Sequence, residues 1–182
     1  MPGFYTPELS LQSKQLNISG SEHHHIVHVF RKQVNDEILL TNGRGILASA
    51  RIITLAKKEL AVEILEISQL QNSEPAISVA LPLLKNKHDN LIVEKLTELG
   101  VREFYPLISE RTVRKAGKNI CQKFEKIAIA AIKQCDNAYL PQIHNQLTLS
   151  DLLQKLPEQV QPVAALEFGK HPLISQAIDP QT

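Results

Sequence analysis

The stretch Ala80–Arg114, ALPLLKNKHDNLIVEKLTELGVREFYPLISERTVR, decides the fold of the second half of this 182-residue chain. The apolar run from Ala76 to Leu84 predicts a buried strand, and the run from Val101 to Ile108 predicts another. A helical pattern separates them. Two strands joined through a helix lie parallel in one sheet, so the stretch predicts a β-α-β unit. In open parallel sheets, ligands bind at the carboxyl ends of the strands, which here are residues 82–87 and 109–115.

The predicted helix has a cap at Asn86 or Asp89 and ends at Gly100. At about 100° per residue, one arc of this helix is apolar and contains Leu91, Ile92, Leu96 and Leu99. Lys95 falls inside that arc, which leaves two interpretations. Its stem packs while its ammonium reaches solvent or pairs with Glu98, or the ammonium binds a polyanionic ligand.

The remaining chain extends this unit on both sides. The pattern β-α-β-α-β-α-β predicts an α/β layer of about four strands, largely parallel. Its second helix carries an amphipathic stripe from Ile120 to Cys135, a short strand follows at 142–144, Thr148 caps the third helix, and the run Val160–Phe168 predicts a last buried strand.

The first half of the chain predicts a small β-barrel. Strands at 37–40, 46–55 and 60–67 are separated by turns at Asn42-Gly43 and Lys57-Lys58, and the segment around 23–31 is apolar enough to pack as a helix through Ile26, Val27, Val29 and Phe30. The polar segment 69–75 ends in proline. We place the boundary there, which predicts domains at 1–73 and 76–182.

Charge and cysteine content narrow the function. The net charge is +1, but the segment from Arg111 to Lys133 holds seven basic residues and the single acid Glu125, which favours a phosphate-bearing partner over a merely solvated helix face. Cys121 and Cys135 lie about 21 Å apart along one predicted helix and cannot form a disulfide there. Reduced thiols and the absence of a leader or membrane-length apolar run predict a cytoplasmic protein.

Several kinds of site are disfavoured. Residues 76–182 contain only Gly100, Gly117 and Gly169, so the glycine-rich motifs of dinucleotide and nucleoside-triphosphate enzymes cannot be written there. His24 and His28 would share a helical face, yet no cysteine or carboxylate pair completes a metal site beside them. We therefore assign no metal.

Two strings of the chain resemble the RsmE family, bacterial enzymes that methylate N3 of a uridine in small-subunit (16S) ribosomal RNA. These strings are EKLTELGV at 94–101 and, after Pro106, SERTV at 109–113. The histidines before Val29-Phe30-Arg31, the turn Asn42-Gly43-Arg44-Gly45 and the string KQCDNAYLPQI at 133–143 are similar to further family motifs. Lys133 and Asn137 depart from the last of these.

The resemblance implies a PUA-like RNA-binding barrel followed by a SPOUT-like α/β domain, with S-adenosylmethionine as cofactor, ribosomal RNA as partner and a homodimer for a complete family member. Seven basic residues are candidates for RNA contact, most of them at predicted strand ends and turns, with Lys95 on the predicted helix: Arg31, Arg44, Lys85, Lys95, Arg111, Arg114 and Lys115. No catalytic residue is assigned.

The family's two donor-site strings, Gly-Pro-Glu-Gly-Gly and Arg-Ile-Leu-Arg-x-Glu-Thr-Ala, do not occur in the 182 residues. We therefore expect the α/β domain to be incomplete at its C-terminus, and the 182-residue chain by itself to lack the donor pocket. Two alternatives to the methyltransferase stay open: a non-catalytic RNA-binding protein that has lost the donor site, and an unrelated small α/β nucleotide-binding enzyme.

Overall fold

The computed structural model describes residues 3–71, 75–84, 88–108, 119–135, 137–165, 169 and 172. These residues form two sheets, each with its own hydrophobic core. No helix in this part of the chain is long and apolar enough to cross a membrane.

The first sheet is a five-stranded half-barrel in the order β1-β3-β4-β5-β2. Its strands are β1 (Gly3–Tyr5), β2 (Gln15–Ser19), β3 (Glu37–Thr41), β4 (Ile46–Leu55) and β5 (Glu59–Gln69). Strand β1 pairs parallel to β3, and the other pairs are antiparallel. The meander β3-β4-β5 confirms the sequence prediction, because its alternating residues, such as Ile38, Leu40 and Ile52, are buried in the core.

Two features of this sheet were not predicted. Strand β2 was interpreted as a turn-rich connection, since its polar residues hide a pairing with β5 that lies far along the chain. Helix α1 (Gly20–His24) continues directly into a π-helix at His25–Val29. Of the four residues predicted to pack there, Ile26 is buried and Val27 is half-buried, whereas Val29 and Phe30 are exposed.

The second sheet confirms the predicted β-α-β unit. Strand β6 (Ser78–Pro82) leads through helix α2 (His88–Glu98) to β7 (Glu103–Ile108), and β6 and β7 pair in parallel. Gly100 ends the helix with φ +88°, as expected for a helix-terminating glycine. Asp89 lies inside the helix and is buried, so it is not the cap.

Three further elements complete this half: helix α3 (Ile120–Ile132), the short strands β8 (Gln142–Ile143) and β9 (Leu147–Thr148), and helix α4 (Leu149–Lys155). Both short strands pair in parallel with β7, so the described part of this sheet has four parallel strands. Thr148 caps α4 as predicted, accepting a hydrogen bond from the Asp151 amide at 3.1 Å.

The predicted strand at Val160–Phe168 is wrong for residues 160–165, which are exposed and form no strand. Pro162 removes a backbone donor from the middle of this run, which disfavours ladder pairing. Residues 166–168 lie outside the described part of the chain. The fourth strand of the sheet is therefore β9.

Candidate functional site

A cleft of about 410 Å³ lies between the two sheets. The first sheet contributes Tyr5, Pro7 and the turn Asn42–Arg44, and the second half contributes the start of α3 and the segment leading into β8. The residues lining the cleft from the second half are Cys121, Gln122, Glu125, Leu140, Pro141, Gln142 and Ile143.

The two walls are joined by main-chain hydrogen bonds beside the cleft. The Leu140 amide donates to the Gly43 carbonyl at 2.8 Å, and the Gly45 amide donates to the Ala138 carbonyl at 2.9 Å. Arg44 and Tyr139 form the antiparallel bridge between these bonds. The cleft therefore has a fixed width at this end, because each wall completes the hydrogen bonding of the other.

The turn that makes this junction depends on its own sequence. Gly43 and Gly45 have φ values of +70° and +93°, which side chains with a Cβ rarely adopt. The Asn42 side-chain oxygen accepts hydrogen bonds from the amides of Arg44 at 2.8 Å and Ile46 at 3.1 Å. The asparagine thereby fixes the turn and directs Arg44 into the cleft.

Arg44 supplies a positive charge on this wall. One guanidinium nitrogen donates to the Pro7 carbonyl at 2.6 Å, which holds the exposed side chain in place. Among the described residues, its other guanidinium donors have no hydrogen-bond partner. A fixed guanidinium with unused donors is suited to bind a phosphate.

Glu125 supplies a negative charge from α3 on the other wall. The pKa of the Tyr5 phenol depends on both charges. Burial raises this pKa, the Glu125 carboxylate raises it further, and the Arg44 guanidinium lowers it. The phenol of Tyr5 is therefore within the electrostatic reach of both groups.

A second contact joins the two halves away from the turn. The Lys133 ammonium forms an ion pair with the Glu22 carboxylate at 2.7 Å, and only 13% and 15% of the two side chains are exposed. The ammonium also lies 3.2 Å from Nδ1 of His25. The Gly3 amide donates to the Lys133 carbonyl at 2.8 Å, so both ends of this residue contact the first half.

The structure describes three of the seven predicted RNA-contacting residues, and only Arg44 lines the cleft. Arg31 is exposed, directly follows the π-helical segment and has φ +53°, an uncommon value for a non-glycine residue. Lys95 is also exposed. Lys85, Arg111, Arg114 and Lys115 lie outside the described residues.

The predicted apolar arc of α2 is confirmed for Ile92 and Leu96, which are partly buried against the core, and wrong for Leu91 and Leu99. Leu91 and Leu99 are 55% and 80% exposed, while the buried positions are Asp89, Val93 and Thr97. Lys95 therefore lies on the solvent face, where its ammonium is 2.9 Å from carboxylate oxygens of both Glu94 and Glu98. Glu94, followed by Glu98, raises the pKa of Lys95. The predicted pairing with Glu98 is confirmed.

Sequence reasoning missed most of the cleft. Glu125 stood out as the single acid of a basic segment, but no role was assigned to it. Tyr5, Gln122 and Gln142 carry no local pattern that predicts a site, since they meet only through tertiary contacts. One signal was available, because the turn at 42–45 and the string at 133–143 were both singled out and the structure pairs them.

Comparison with known families finds two matching models. A family model described as an RNA methyltransferase domain matches residues 71–180. A second model, described as an RNA methyltransferase PUA domain, matches residues 18–65. The turn Asn42–Arg44 of the cleft lies in the part that the second model matches, and the wall formed by α3 and residues 140–143 lies in the part that the first model matches.

Two relatives with the same name match most of this chain. The ribosomal RNA small subunit methyltransferase E of Synechocystis sp. is 28% identical over 142 residues, which are 78% of this chain and 46% of that protein. The protein of the same name from Bacillus subtilis is 28% identical over 162 residues, which are 86% of this chain and 63% of the relative. The chain thus spans less than two thirds of the length of these relatives.

A solved structure shares the fold. The ribosomal RNA small subunit methyltransferase E from Neisseria gonorrhoeae, bound to S-adenosyl methionine, superposes with a TM-score of 0.76 at 26% identity, covering 87% of this chain and 66% of that one. Because the methyltransferase model matches more than half of the chain, and because the motifs, the fold and the named relatives agree, the chain belongs to the RsmE family.

Proposed function

We propose that this protein methylates N3 of a uridine in the RNA of the small ribosomal subunit, with S-adenosylmethionine as the methyl donor. The observation that carries the proposal is the cleft. It places Arg44 of the PUA-like half opposite the methyltransferase half, in a chain that belongs to the RsmE family. An RNA strand bound there would contact both halves at once.

In methyl transfer to uridine N3, the main task of the protein is to bind and position the RNA. Uridine N3 carries a weakly acidic imide proton that must leave for a methyl group to be added. S-adenosylmethionine, when bound, supplies an activated methyl group on a sulfonium. The described residues then hold the RNA so that the uridine can react. A junction that fixes the spacing of the two halves helps to hold it there.

The cleft does not fit the donor. It is lined by residues 140–143, around the short strand β8, and by no residue of β6 or β7, whereas ligands in parallel sheets bind at the carboxyl ends of the strands. The chain that follows the carboxyl ends of β6 and β7 includes residues 85–87 and 109–118, which lie outside the described part. We assign the cleft to RNA and assign no residue to the donor.

The division of labour forms part of the proposal. Residues 1–73 form the RNA-binding domain and residues 76–182 belong to the methyltransferase domain. The two family models, which match 18–65 and 71–180, support this division. We further propose that the protein acts in the cytoplasm, on the small subunit, as a homodimer. Arg31 and the basic residues at 85, 111, 114 and 115 also contact the RNA in this proposal.

A methyl-transfer assay tests the proposal. The protein is expressed as the 182-residue chain and from its complete reading frame, and each is incubated with tritiated S-adenosylmethionine and small subunits from cells that lack the family's enzyme. We expect the product of the complete reading frame to label the RNA, with N3-methyluridine identified by mass spectrometry of the digested RNA. Subunits that already carry the modification should accept no label.

The same experiment separates the non-catalytic alternative. Binding of RNA by both proteins without label in either would favour an RNA-binding protein that has lost the donor site. Label in a different nucleotide would contradict the assignment of uridine N3 while leaving the reaction class intact.

A further inference from the structure

The single acid of the basic segment faces the cleft. Between Arg111 and Lys133 the chain has seven basic residues and only Glu125 as an acid. The Glu125 carboxylate lines the cleft, and among the described residues it forms no hydrogen bond or ion pair. A carboxylate repels phosphate, so the Glu125 carboxylate would weaken RNA binding at this surface unless it contacts a base.

The two charges on the opposite walls match the two parts of a nucleotide. Arg44 presents unused guanidinium donors, which bind phosphate. An ionised carboxylate accepts hydrogen bonds and cannot donate them, so Glu125 requires a ligand with donors. The cleft volume of about 410 Å³ lies in the range of sites for small ligands, which suits one unstacked nucleotide.

The RNA bases differ in the donors on their Watson–Crick edges. Guanine presents two adjacent donors, N1–H and the N2 amino group, which match the two oxygens of one carboxylate. Uracil presents a single N–H between two carbonyls, and adenine and cytosine each place an amino group beside an acceptor. Single-stranded RNA is commonly read on this edge.

We infer that the cleft reads a guanine in single-stranded RNA, with the Glu125 carboxylate accepting from N1–H and N2–H and Arg44 binding a neighbouring phosphate. This inference rests on the proposed function, since it concerns the RNA on which the methyltransferase would act. It assigns the guanine to a position distinct from the uridine that is modified.

Two further observations support a preformed subsite. The phenol of Tyr5 lies within the electrostatic reach of both charged groups, so these two charges belong to one small site. The main-chain bonds from Gly43 and Gly45 to the opposite wall fix the spacing of the walls. A base would therefore enter a site whose charged groups are already in place, which lowers the entropic cost of binding.

The test compares four nonamer RNAs that consist of uridine except for a central A, C, G or U. Binding to the 182-residue chain is measured by fluorescence anisotropy at one fixed salt concentration. We expect the RNA with the central guanine to bind about tenfold more tightly than the others, a ratio within the range for a bidentate base contact. Glu125→Gln should lose the preference for guanine, because its amide replaces one acceptor with a donor and no longer matches two adjacent donors.

Two variants serve as controls. Glu59→Gln makes the same change in net charge at the exposed first residue of β5 and should keep the preference for guanine. Arg44→Gln should weaken all four RNAs alike and flatten the salt dependence of binding, since it removes a phosphate contact. Thermal melting of each variant confirms that it is folded.

The outcomes distinguish the inference from the proposed function. Binding without a preference for guanine, or a preference that survives in Glu125→Gln, would overturn the guanine subsite and leave RNA binding intact. Failure of the folded wild-type chain to bind any of the RNAs would overturn the RNA-binding surface as well. A preference for guanine that is lost only in Glu125→Gln supports the inference.

Discussion

At the scale of a residue, Gly45 is the point at which the turn at 42–45 lies against the ring of Tyr139. The pattern Asn-Gly-Arg-Gly predicted a turn with Arg44 at its tip, because asparagine and glycine adopt positive φ. It could not predict that Tyr139, far along the chain, packs against Gly45, since local patterns carry no information on distant contacts. The Tyr139 hydroxyl donates to the Leu70 carbonyl at 2.7 Å, which fixes the ring there.

This contact predicts that Gly45 tolerates no side chain. A Cβ at this position would lie 2.6 Å from Cζ of Tyr139, and the residue would keep a left-handed φ. We expect Gly45→Ala to lower the free energy of unfolding by about 3 kcal/mol, from backbone strain together with displacement of the ring. Urea denaturation measures this loss.

Gly20 provides the matched control. It also has a positive φ, +65°, but nothing lies within 4 Å of an added Cβ. Gly20→Ala should therefore cost only the backbone term, about 1 kcal/mol. Equal losses in the two variants would show that the packing of Tyr139 against the turn contributes nothing.

At the scale of an element, the sequence pattern predicted part of helix α2. Its end at Gly100 was predicted, but the burial of Asp89 and Thr97 was not, because the prediction assumed that buried positions are apolar. Thr97 is buried, and its hydroxyl donates to the Val93 carbonyl at 2.6 Å, while the Asn137 amide donates to the Thr97 carbonyl at 3.0 Å. Satisfied polar groups of this kind cannot be told from solvent-exposed ones by periodicity.

The orientation of α2 leads to a prediction for Lys95. Its exposed ammonium is bracketed by the carboxylates of Glu94 and Glu98, so it is less available to a polyanion than a free lysine. We expect Lys95→Met to leave both the thermal midpoint and the affinity for RNA near those of the wild type. Lys155→Met, an equivalent change at an exposed position of α4, serves as control. A fall in RNA affinity at an unchanged midpoint would instead assign Lys95 to the RNA surface.

For the whole molecule, the sequence predicted two halves but not how they are joined. Lys133 and Asn137 were noted only as departures from the family string. In the structure, Lys133 pairs with Glu22 of the first half, and Asn137 accepts a hydrogen bond from the Tyr139 amide at 3.0 Å. Both departures therefore have structural roles at the junction. An ion pair between residues that lie 111 positions apart leaves no trace in local periodicity.

The junction predicts that the two halves unfold together. Lys133→Met would leave the Glu22 carboxylate, 15% exposed, without its ammonium partner, and removing one member of a largely buried pair costs about 3 kcal/mol. We expect this loss to weaken the coupling, so that the single unfolding transition of the wild type in urea separates into two, and a protease cleaves the chain between the two halves more readily. The double variant Glu22→Gln with Lys133→Met removes both charges and keeps an acceptor for the Tyr5 amide, which now donates to the Glu22 carboxylate at 3.3 Å. It should recover most of the stability and the single transition.

If Lys133→Met unfolds in one transition with an unchanged midpoint, the main-chain bonds at 43–45 alone would couple the halves, and the ion pair would have no part in holding the cleft.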